Sequence, residues 1–220
     1  MIRRDHASVI KAVLFDFGGV LTTSPFEAMA SYEIEHGLPA GFIRSVNATN
    51  GDANAWAKLE RGEVSIEEFS DLFAEESASL GYEVPGEAVL ACFSSGRLRP
   101  AMLEASRRCA RVLKTGLLTN NFSAASDALP AAAREFGPVL EHFDVVLESS
   151  RVGVRKPEVR FYELACEQLA IEPSEAVFLD DLGVNLKPAR SMGMATIKVV
   201  DPAEAIAELE QVVGLALRDG

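Results

Sequence analysis

The chain has 220 residues, a length that suits one large domain or a core domain with a smaller insertion. Its 48% hydrophobic and 25% charged residues are typical of a folded globular protein and exclude intrinsic disorder as the main state. Its 33 acidic residues outnumber the 21 basic ones, and the net charge of -12 argues against a nucleic-acid partner, whose phosphate backbone requires a basic surface.

The lack of a recognisable targeting signal and the spacing of the cysteines indicate a reducing compartment. No apolar run approaches the roughly 18 residues of a membrane span, and no signal-peptide core follows the charged N-terminus. Cys92, Cys109 and Cys166 are widely spaced, without metal-ligand spacing or an activating neighbour, so we predict buried thiols. We therefore expect a cytoplasmic protein with no membrane partner, and the sequence leaves its oligomeric state open.

Five short apolar or β-branched runs predict the strands of a sheet. They lie at 12–15, 116–118, 143–147, 176–179 and 195–199. Most are continuous rather than alternating, which is typical of strands covered on both faces, and helical patterns separate the last four. The predicted fold class is therefore α/β, with a Rossmann-like parallel sheet and helices on both faces.

The long interval between the first two runs predicts a helical insertion, because it contains helical patterns and no convincing strand. Within it, Ser65 and Glu68 form a Ser-x-x-Glu capping box at the start of a helix. We therefore predict a core over residues 8–22 and 109–220, and an insertion over residues 23–108 after the first strand.

Two helix starts are also predicted in the second half of the core. In Lys156-Pro157-Glu158 the proline suits the first position of a helix. Another helix is expected after Asn185, with Pro188 in its first turn and Gly193 just past its end.

Polar residues follow the predicted strands, at the edge where parallel strands end together and ligands gather. In chain order they are Asp16 after the first strand, Thr119 and Asn120 after the second, Lys156 beyond the third, and Asp180 and Asp181 after the fourth. Each residue type alone commonly ends a strand or caps a helix. Together on one edge they predict a functional site.

This combination of side chains suits the chemistry of phosphate esters. Three converging carboxylates require protonation or a cation, and oxygen ligands favour Mg²⁺. Lys156, the Thr119 hydroxyl and nearby backbone amides, including those of the Thr119-Asn120 segment, would hold a phosphoryl group. Asp16 is then the natural nucleophile, since a carboxylate can attack phosphorus to form an aspartyl-phosphate. The expected partner is a small phosphorylated molecule.

Four motifs carry a family resemblance. They are Asp-Phe-Gly-Gly-Val-Leu at 16–21, Leu-Leu-Thr-Asn at 117–120, the lysine of Arg-Lys-Pro at 155–157, and Phe-Leu-Asp-Asp-Leu-Gly-Val-Asn at 178–185. With them the chain resembles, over nearly its whole length, the haloacid dehalogenase (HAD) superfamily of aspartate-nucleophile phosphohydrolases. Residues 148–153 and 178–188 are most similar to the N-terminal phosphatase domain of soluble epoxide hydrolase and the related domain fused to some acyl-CoA dehydrogenases.

The resemblance implies a role for each of these positions. It implies Asp16 as nucleophile and metal ligand, Thr119, Asn120 and Lys156 at the phosphoryl group, Asp181 and the main-chain carbonyl of Gly18 at Mg²⁺, and Asp180 and Asn185 as supporting residues. It also implies that the insertion over residues 23–108 is a mobile cap that closes over the substrate and sets specificity.

Gly18 departs from the family's pattern. Most phosphatases of the superfamily carry a second aspartate there, which protonates the leaving oxygen and then activates water. Three hypotheses follow. The chain is a Mg²⁺-dependent phosphatase for easier leaving groups or with a borrowed acid, a phosphate-binding or regulatory module without turnover, or a 2-haloacid dehalogenase. Dehalogenases usually carry a tyrosine at the position of Gly18 and dispense with Mg²⁺.

Three further residues are not interpreted as site residues. Trp56, the only tryptophan, is predicted to pack inside the insertion rather than to stack on a substrate. Arg151 and Arg155, which flank Lys156, are expected to be solvated loop arginines.

Overall fold

A single parallel sheet lies at the centre of the computed structural model, which describes residues 9–122, 137 and 141–218. Within these residues its five strands are β1 (Ala12–Phe15), β2 (Lys114–Thr119), β3 (Val145–Glu148), β4 (Ala176–Asp180) and β5 (Ala195–Lys198). Their order is β3-β2-β1-β4-β5, so β1 is the middle strand. The predicted parallel sheet is confirmed, with small differences at the strand ends.

Helices connect the strands. Between β1 and β2 lie a tight turn (Phe17–Leu21) and the helices α1 (Phe26–Glu35), α2 (Phe42–Ala48), α3 (Ala55–Glu60), α4 (Ile66–Ser79), α5 (Gly86–Ala91) and α6 (Pro100–Ala110), with a short 3₁₀ turn at Cys92–Ser95. After β3 come α7 (Ser149–Val152), α8 (Val159–Leu169), a 3₁₀ turn at Pro173–Glu175, α9 (Gly183–Ser191) and α10 (Pro202–Val213).

The helices cover both faces of the sheet, as predicted. Phe15 points to the face covered by α6 and α10, whereas its neighbour Leu14 points to the face covered by α8 and α9. Successive side chains of a strand alternate between faces, so a strand covered on both sides must be apolar throughout. This explains why the runs in the sequence are continuous, and why every residue of β1 is fully buried.

Helices α1 to α5 share an apolar cluster of their own. Its buried members include Met29, Ile43, Trp56, Phe69 and Phe73. The capping box predicted at the start of α4 is present, because the side chains of Ser65 and Glu68 each accept a hydrogen bond from the other's backbone amide. These five helices form the helical insertion, the name used below for residues 23–95.

Helix α6 belongs to the core by its packing, although residues up to 108 were predicted to belong to the insertion. Its Met102, Ala105 and Cys109 side chains lie in the apolar cluster on the sheet. A boundary between residues 108 and 109 would divide this helix. We therefore propose that the insertion ends before Pro100. Residue 8, residues 123–136 and 138–140, and residues 219–220 of the predicted core lie outside the described residues.

Two helix starts differ from their predictions because side chains of the site bind the backbone there. Helix α8 begins at Val159, not at Pro157, since both the N–H and the C=O of Lys156 are bonded to the Asn120 side chain. Helix α9 begins at Gly183, before Asn185, so Pro188 lies beyond the first turn. Gly193 does lie just past the end of α9, with a φ of 100° that favours glycine.

The cysteine prediction is confirmed in its structural part. Cys92, Cys109 and Cys166 are buried thiols, and burial raises the pKa of the Cys109 thiol to about 12. A thiol in that state is not reactive at neutral pH. In the part of the chain that the structure describes, no helix is both long enough and apolar enough to cross a membrane.

The capping box supplies a stability test. Replacing Ser65 with Ala removes the side-chain acceptor for the Glu68 amide, so we expect the free energy of unfolding to fall by about 1 kcal/mol. Ser79→Ala at the other end of α4 is the control, because the exposed Ser79 hydroxyl only donates to the Glu76 carbonyl; its cost should stay below about 0.5 kcal/mol. Urea unfolding of both variants checks this, and equal costs would contradict the capping role.

Candidate active site

The strand register brings the predicted acidic residues to one edge of the sheet. Phe15 of β1 is level with Leu179 of β4, so Asp16 and Asp180, one residue further on, leave the sheet side by side. One carboxylate oxygen from each of Asp16, Asp180 and Asp181 lies within 4.8 Å of the other two. The predicted convergence of these three residues is therefore present in the structure.

A buried lysine joins two of these carboxylates. The Lys156 ammonium nitrogen lies 2.6 Å from Asp16 Oδ1 and 3.0 Å from Asp180 Oδ2, and only 1% of the lysine side chain is exposed. The Asn120 side chain holds the lysine backbone, since its Oδ1 accepts from the Lys156 N–H and its Nδ2 donates to the Lys156 carbonyl, both at 2.9 Å. The end of β2 thus positions a lysine that follows β3.

Asp180 organises the loop after β4. Its carboxylate is fully buried and accepts hydrogen bonds from the Leu182 N–H at 2.8 Å and from the Asn185 side-chain amide at 3.0 and 3.1 Å, besides the bond from Lys156. The Tyr162 hydroxyl in turn donates to the Asn185 carbonyl at 2.7 Å. The hydrogen-bonding capacity of the Asp180 carboxylate is thereby filled within the protein, whereas its neighbour Asp181 faces a cavity.

Burial shifts the pKa values of the titratable groups in this cluster. It raises the pKa of the Asp16 carboxyl well above its usual range, although the Lys156 ammonium opposes the shift. It also raises the pKa of Asp181 to about 6, with a further contribution from Asp180. Burial alone would lower the pKa of Lys156, but the carboxylates of Asp16 and Asp180 outweigh it and raise that pKa. Three carboxylates share one ammonium, so a further cation would stabilise their ionised forms.

The tight turn after β1 contains two glycines with different constraints. Gly19 has a φ of 78°, and a Cβ there would overlap the Asp181 carboxylate, so only glycine fits. Its carbonyl accepts a hydrogen bond from Arg99 at 2.8 Å. Gly18 has φ -70° and ψ 128°, which any residue adopts, and a Cβ there would meet no atom within 4 Å. The backbone therefore does not require glycine at position 18.

A cavity of about 500 Å³ lies between the sheet edge and the helical insertion. Residues of the sheet edge that line it are Asp16, Gly18, Asn120, Lys156, Asp181 and Asn185. Thr119 ends β2 with its hydroxyl 3.4 Å from the Asn120 carbonyl, and it is not among the described residues that line the cavity. Asp180 is fully buried, whereas Thr119 is partly exposed.

The helical insertion contributes a carboxylate that the sequence analysis missed. Glu60 of α3 is buried and accepts hydrogen bonds from Arg155 Nε at 2.6 Å, Trp56 Nε1 at 2.9 Å and Asn120 Nδ2 at 3.1 Å. Arg155 also donates to the Gly51 carbonyl at 2.9 Å. The interpretation of Arg155 as a solvated loop residue is therefore wrong. Its partners are more than 90 residues away in sequence, so no local pattern could have revealed them.

Trp56 has two roles in the structure. It packs against Phe69, Phe93 and Phe122, which confirms the predicted packing role. Part of its surface also lines the cavity, where its indole N–H bonds to Glu60. The tryptophan therefore belongs both to the core of the insertion and to the wall of the site.

Comparisons with known proteins identify relatives of this chain. A family model described as haloacid dehalogenase-like hydrolase matches residues 10–193. Acyl-CoA dehydrogenase family member 10 of Mus musculus is 37% identical over 96% of this chain, and bifunctional epoxide hydrolase 2 of Sus scrofa is 32% identical over 94%. The chain spans only 20% and 40% of the lengths of these two relatives. A phosphatase of Mycobacterium tuberculosis is 34% identical, over 84% of this chain and 85% of its own length.

Solved structures share the fold. A HAD family enzyme of Bacteroides thetaiotaomicron, in complex with magnesium and inorganic phosphate, covers 86% of this chain and 93% of its own, with TM-score 0.57 and 21% identity. An L-2-haloacid dehalogenase of Xanthobacter autotrophicus covers 96% of this chain and 85% of its own, with TM-score 0.58 and 20% identity. At these identities the likeness shows the fold alone.

The two glycines of the turn allow a matched test of the site geometry. Gly19→Ala must adopt a left-handed backbone and displace Asp181, so we expect it to lower the free energy of unfolding by about 1–3 kcal/mol. Gly18→Ala, next to it, should stay within about 1 kcal/mol of the wild type because its Cβ meets open space. Chemical unfolding measures both, and equal losses would show that the turn differs from the one described.

Proposed function

Because this chain belongs to the haloacid dehalogenase-like hydrolases, we propose that it is a Mg²⁺-dependent phosphatase that cleaves a small organic phosphate monoester through a phosphorylated Asp16. The observation that supports this most is the buried contact between Lys156 and Asp16 at the floor of a cavity that Asp181 also lines. The phosphatase relative, which matches over most of its own length, supports the same reaction class.

The donor set suits Mg²⁺. Asp16, Asp180 and Asp181 offer three carboxylate oxygens within 4.8 Å of one another, and hard oxygen ligands are those that Mg²⁺ prefers. Asp180 is saturated by Lys156, Leu182 and Asn185, so Asp16, Asp181 and the Gly18 carbonyl are the proposed ligands. When bound, the ion would offset the negative charge of the phosphoryl oxygens and of the carboxylates.

Asp16 is the proposed nucleophile. Its carboxylate oxygen forms a bond to phosphorus as the bond between phosphorus and the leaving oxygen breaks, and water then attacks the phosphorus, which releases inorganic phosphate and restores Asp16. Lys156 supplies a positive charge beside the attacking oxygen. Burial of both groups strengthens this interaction, because little water competes.

The remaining predicted residues act around this pair. The side-chain amide of Asn120 is occupied by Lys156 and Glu60, so we propose that Asn120 acts by positioning the lysine. Asp180 and Asn185 hold the loop that presents Asp181. For Thr119, a hydrogen bond from its hydroxyl to the phosphoryl group stays a prediction. The helical insertion would exclude water from the cavity as a cap.

Gly18 limits the leaving group. Without a carboxylate at this position no acid is available there to protonate the departing oxygen, and loss of such a group costs on the order of 10²–10⁴ in rate. A leaving group that is stable as an anion, such as a phenolate, avoids this cost. We therefore propose that aryl and other activated phosphates are turned over faster than alkyl phosphates.

The first test compares para-nitrophenyl phosphate with a simple alkyl phosphate. We expect release of phosphate from the aryl ester with Mg²⁺ present, and loss of that release with a chelator or in Asp16→Asn. The alkyl ester should react at least roughly 10²-fold more slowly than the aryl ester. Circular dichroism of Asp16→Asn verifies its fold.

Other outcomes would select the alternatives. If neither ester releases phosphate and calorimetry still detects binding of Mg²⁺ or phosphate, a binding or regulatory module would be favoured. Halide release from a 2-haloacid without added metal would favour a dehalogenase. Either result contradicts the proposed phosphatase.

The second test restores the missing acid. The open space around Gly18 accepts a side chain. Gly18→Asp should therefore raise the turnover of the alkyl phosphate by roughly 10²-fold, and it should raise the turnover of the aryl ester less. Gly18→Asn is the matched control, because its side chain has the same size and no acidic proton to transfer. If both variants change the alkyl rate alike, proton donation at this position does not limit the reaction.

A further inference from the structure

Two adjacent residues at the end of α3 form ion pairs with the segment that carries Lys156. Glu60 Oε2 lies 2.6 Å from Arg155 Nε. Arg61 Nε lies 2.8 Å from Glu158 Oε1. The two pairs have opposite polarity and lie on either side of the lysine along the chain. The helical insertion is therefore fastened to the core both before and after the lysine.

The first of these pairs extends to the amide that holds the lysine backbone. Asn120 Nδ2 donates one hydrogen bond to Glu60 Oε2 at 3.1 Å and another to the Lys156 carbonyl, while Asn120 Oδ1 accepts from the Lys156 N–H. Both protons of the amide nitrogen are thus engaged. A flipped amide would turn its oxygen toward the Glu60 carboxylate, so the carboxylate fixes which way the Asn120 side chain faces.

Three N–H donors converge on the Glu60 carboxylate and hold it in place. Besides Asn120 they are Arg155 Nε, at 2.6 Å, and the Trp56 indole nitrogen, at 2.9 Å. The carboxylate accepts all three with two oxygens, whereas an amide of the same size has one acceptor atom. Because Glu60 is buried, its charge-assisted bond to Asn120 competes with little water.

We propose that Glu60 is a positioning residue, which acts through the Asn120 amide to hold the Lys156 ammonium against Asp16. This inference rests on the proposed phosphatase function. The lysine nitrogen lies 2.6 Å from Asp16 Oδ1, and the backbone from which the lysine side chain extends is held by Asn120. A residue of the helical insertion, outside the four sequence motifs, thereby sets the geometry of the reacting pair on the sheet edge.

Attachment of the insertion to the core is the competing explanation for Glu60. If Glu60 served only for attachment, breaking the pair between Arg61 and Glu158 should have the same effect. Within the described residues, neither side chain of that second pair bonds to Asn120 or Lys156. Glu158→Gln is therefore the matched control, because it removes one carboxylate from the same interface and leaves the contacts of the Asn120 amide intact.

The test measures kcat for para-nitrophenyl phosphate with Mg²⁺ present. Glu60→Gln should lower kcat about tenfold, less than the roughly 10²-fold loss that a displacement of about 1 Å causes, because Asn120 keeps its two bonds to the lysine backbone. Glu158→Gln should stay within about twofold of the wild type, since its ion pair is partly exposed. Equal losses in the two variants would overturn the proposal, as would an unchanged kcat in Glu60→Gln.

A double-mutant cycle tests the route through Asn120. Asn120→Ala removes the amide that links Glu60 to the lysine, so the further change Glu60→Gln should then alter kcat by less than about twofold. If Glu60→Gln lowers kcat by the same factor with and without Asn120, Glu60 does not act through that residue.

A second variant covers the case in which Glu60→Gln does not fold, because that change leaves the Arg155 guanidinium without its carboxylate. Circular dichroism identifies this case. Glu60→Met combined with Arg155→Met removes the acceptor of the Asn120 proton and leaves no buried charge unpaired. Its kcat should also fall about tenfold. A kcat equal to that of the wild type would show that Glu60 only balances the charge of Arg155.

Hydrogen exchange separates this inference from the proposed function. If the wild type does not hydrolyse the ester, the phosphatase proposal fails. The Lys156 amide hydrogen, which is bonded to Asn120 Oδ1, then still reports on the role of Glu60. We expect this hydrogen to exchange at least about tenfold faster in Glu60→Gln, or in the double Met variant, than in the wild type and Glu158→Gln. Equal exchange rates in all of these proteins would overturn the positioning role.

Discussion

The bonds from one buried lysine to two aspartates are the interaction on which the site depends. Lys156, Asp16 and Asp180 come from three separate segments and meet at the centre of the sheet edge, where almost no water reaches them. Removing one partner of a buried pair would leave an uncompensated charge, so each of the three requires the others. The Asn120 amide and the loop after β4 are arranged to hold this group.

The helical insertion completes the site through a second ion pair. Glu60 bonds to Arg155, immediately before the lysine, and to Asn120, which positions that lysine. The insertion therefore contacts the residues that support the proposed nucleophile, while its Phe26, Met29 and Arg44 form the opposite wall. We propose that residues at the sheet edge carry out the reaction and that residues of the insertion select the substrate.

Adjacent glycines in one turn illustrate two different reasons for the same residue. Gly19 is required by the backbone and by the approach of Asp181, so it is part of the fold. Gly18 has ordinary dihedral angles and free space beside it, so its missing side chain is a chemical feature of the site. Stability does not demand a glycine there, and the consequence that we propose is a limit on the leaving groups that the enzyme can expel.

The sequence by itself determined the sheet, the capping box of α4, and the set Asp16, Asn120, Lys156, Asp180 and Asp181, because strand and cap patterns are local and parallel strands end at a common edge. It did not determine where α8 and α9 begin, since backbone bonds to Asn120 and Asp180 decide those positions. Nor did it reveal Glu60, the burial of Arg155 or the place of Arg44 on the cavity wall. Those depend on contacts between residues far apart in the chain, which only the packing of the insertion against the core creates.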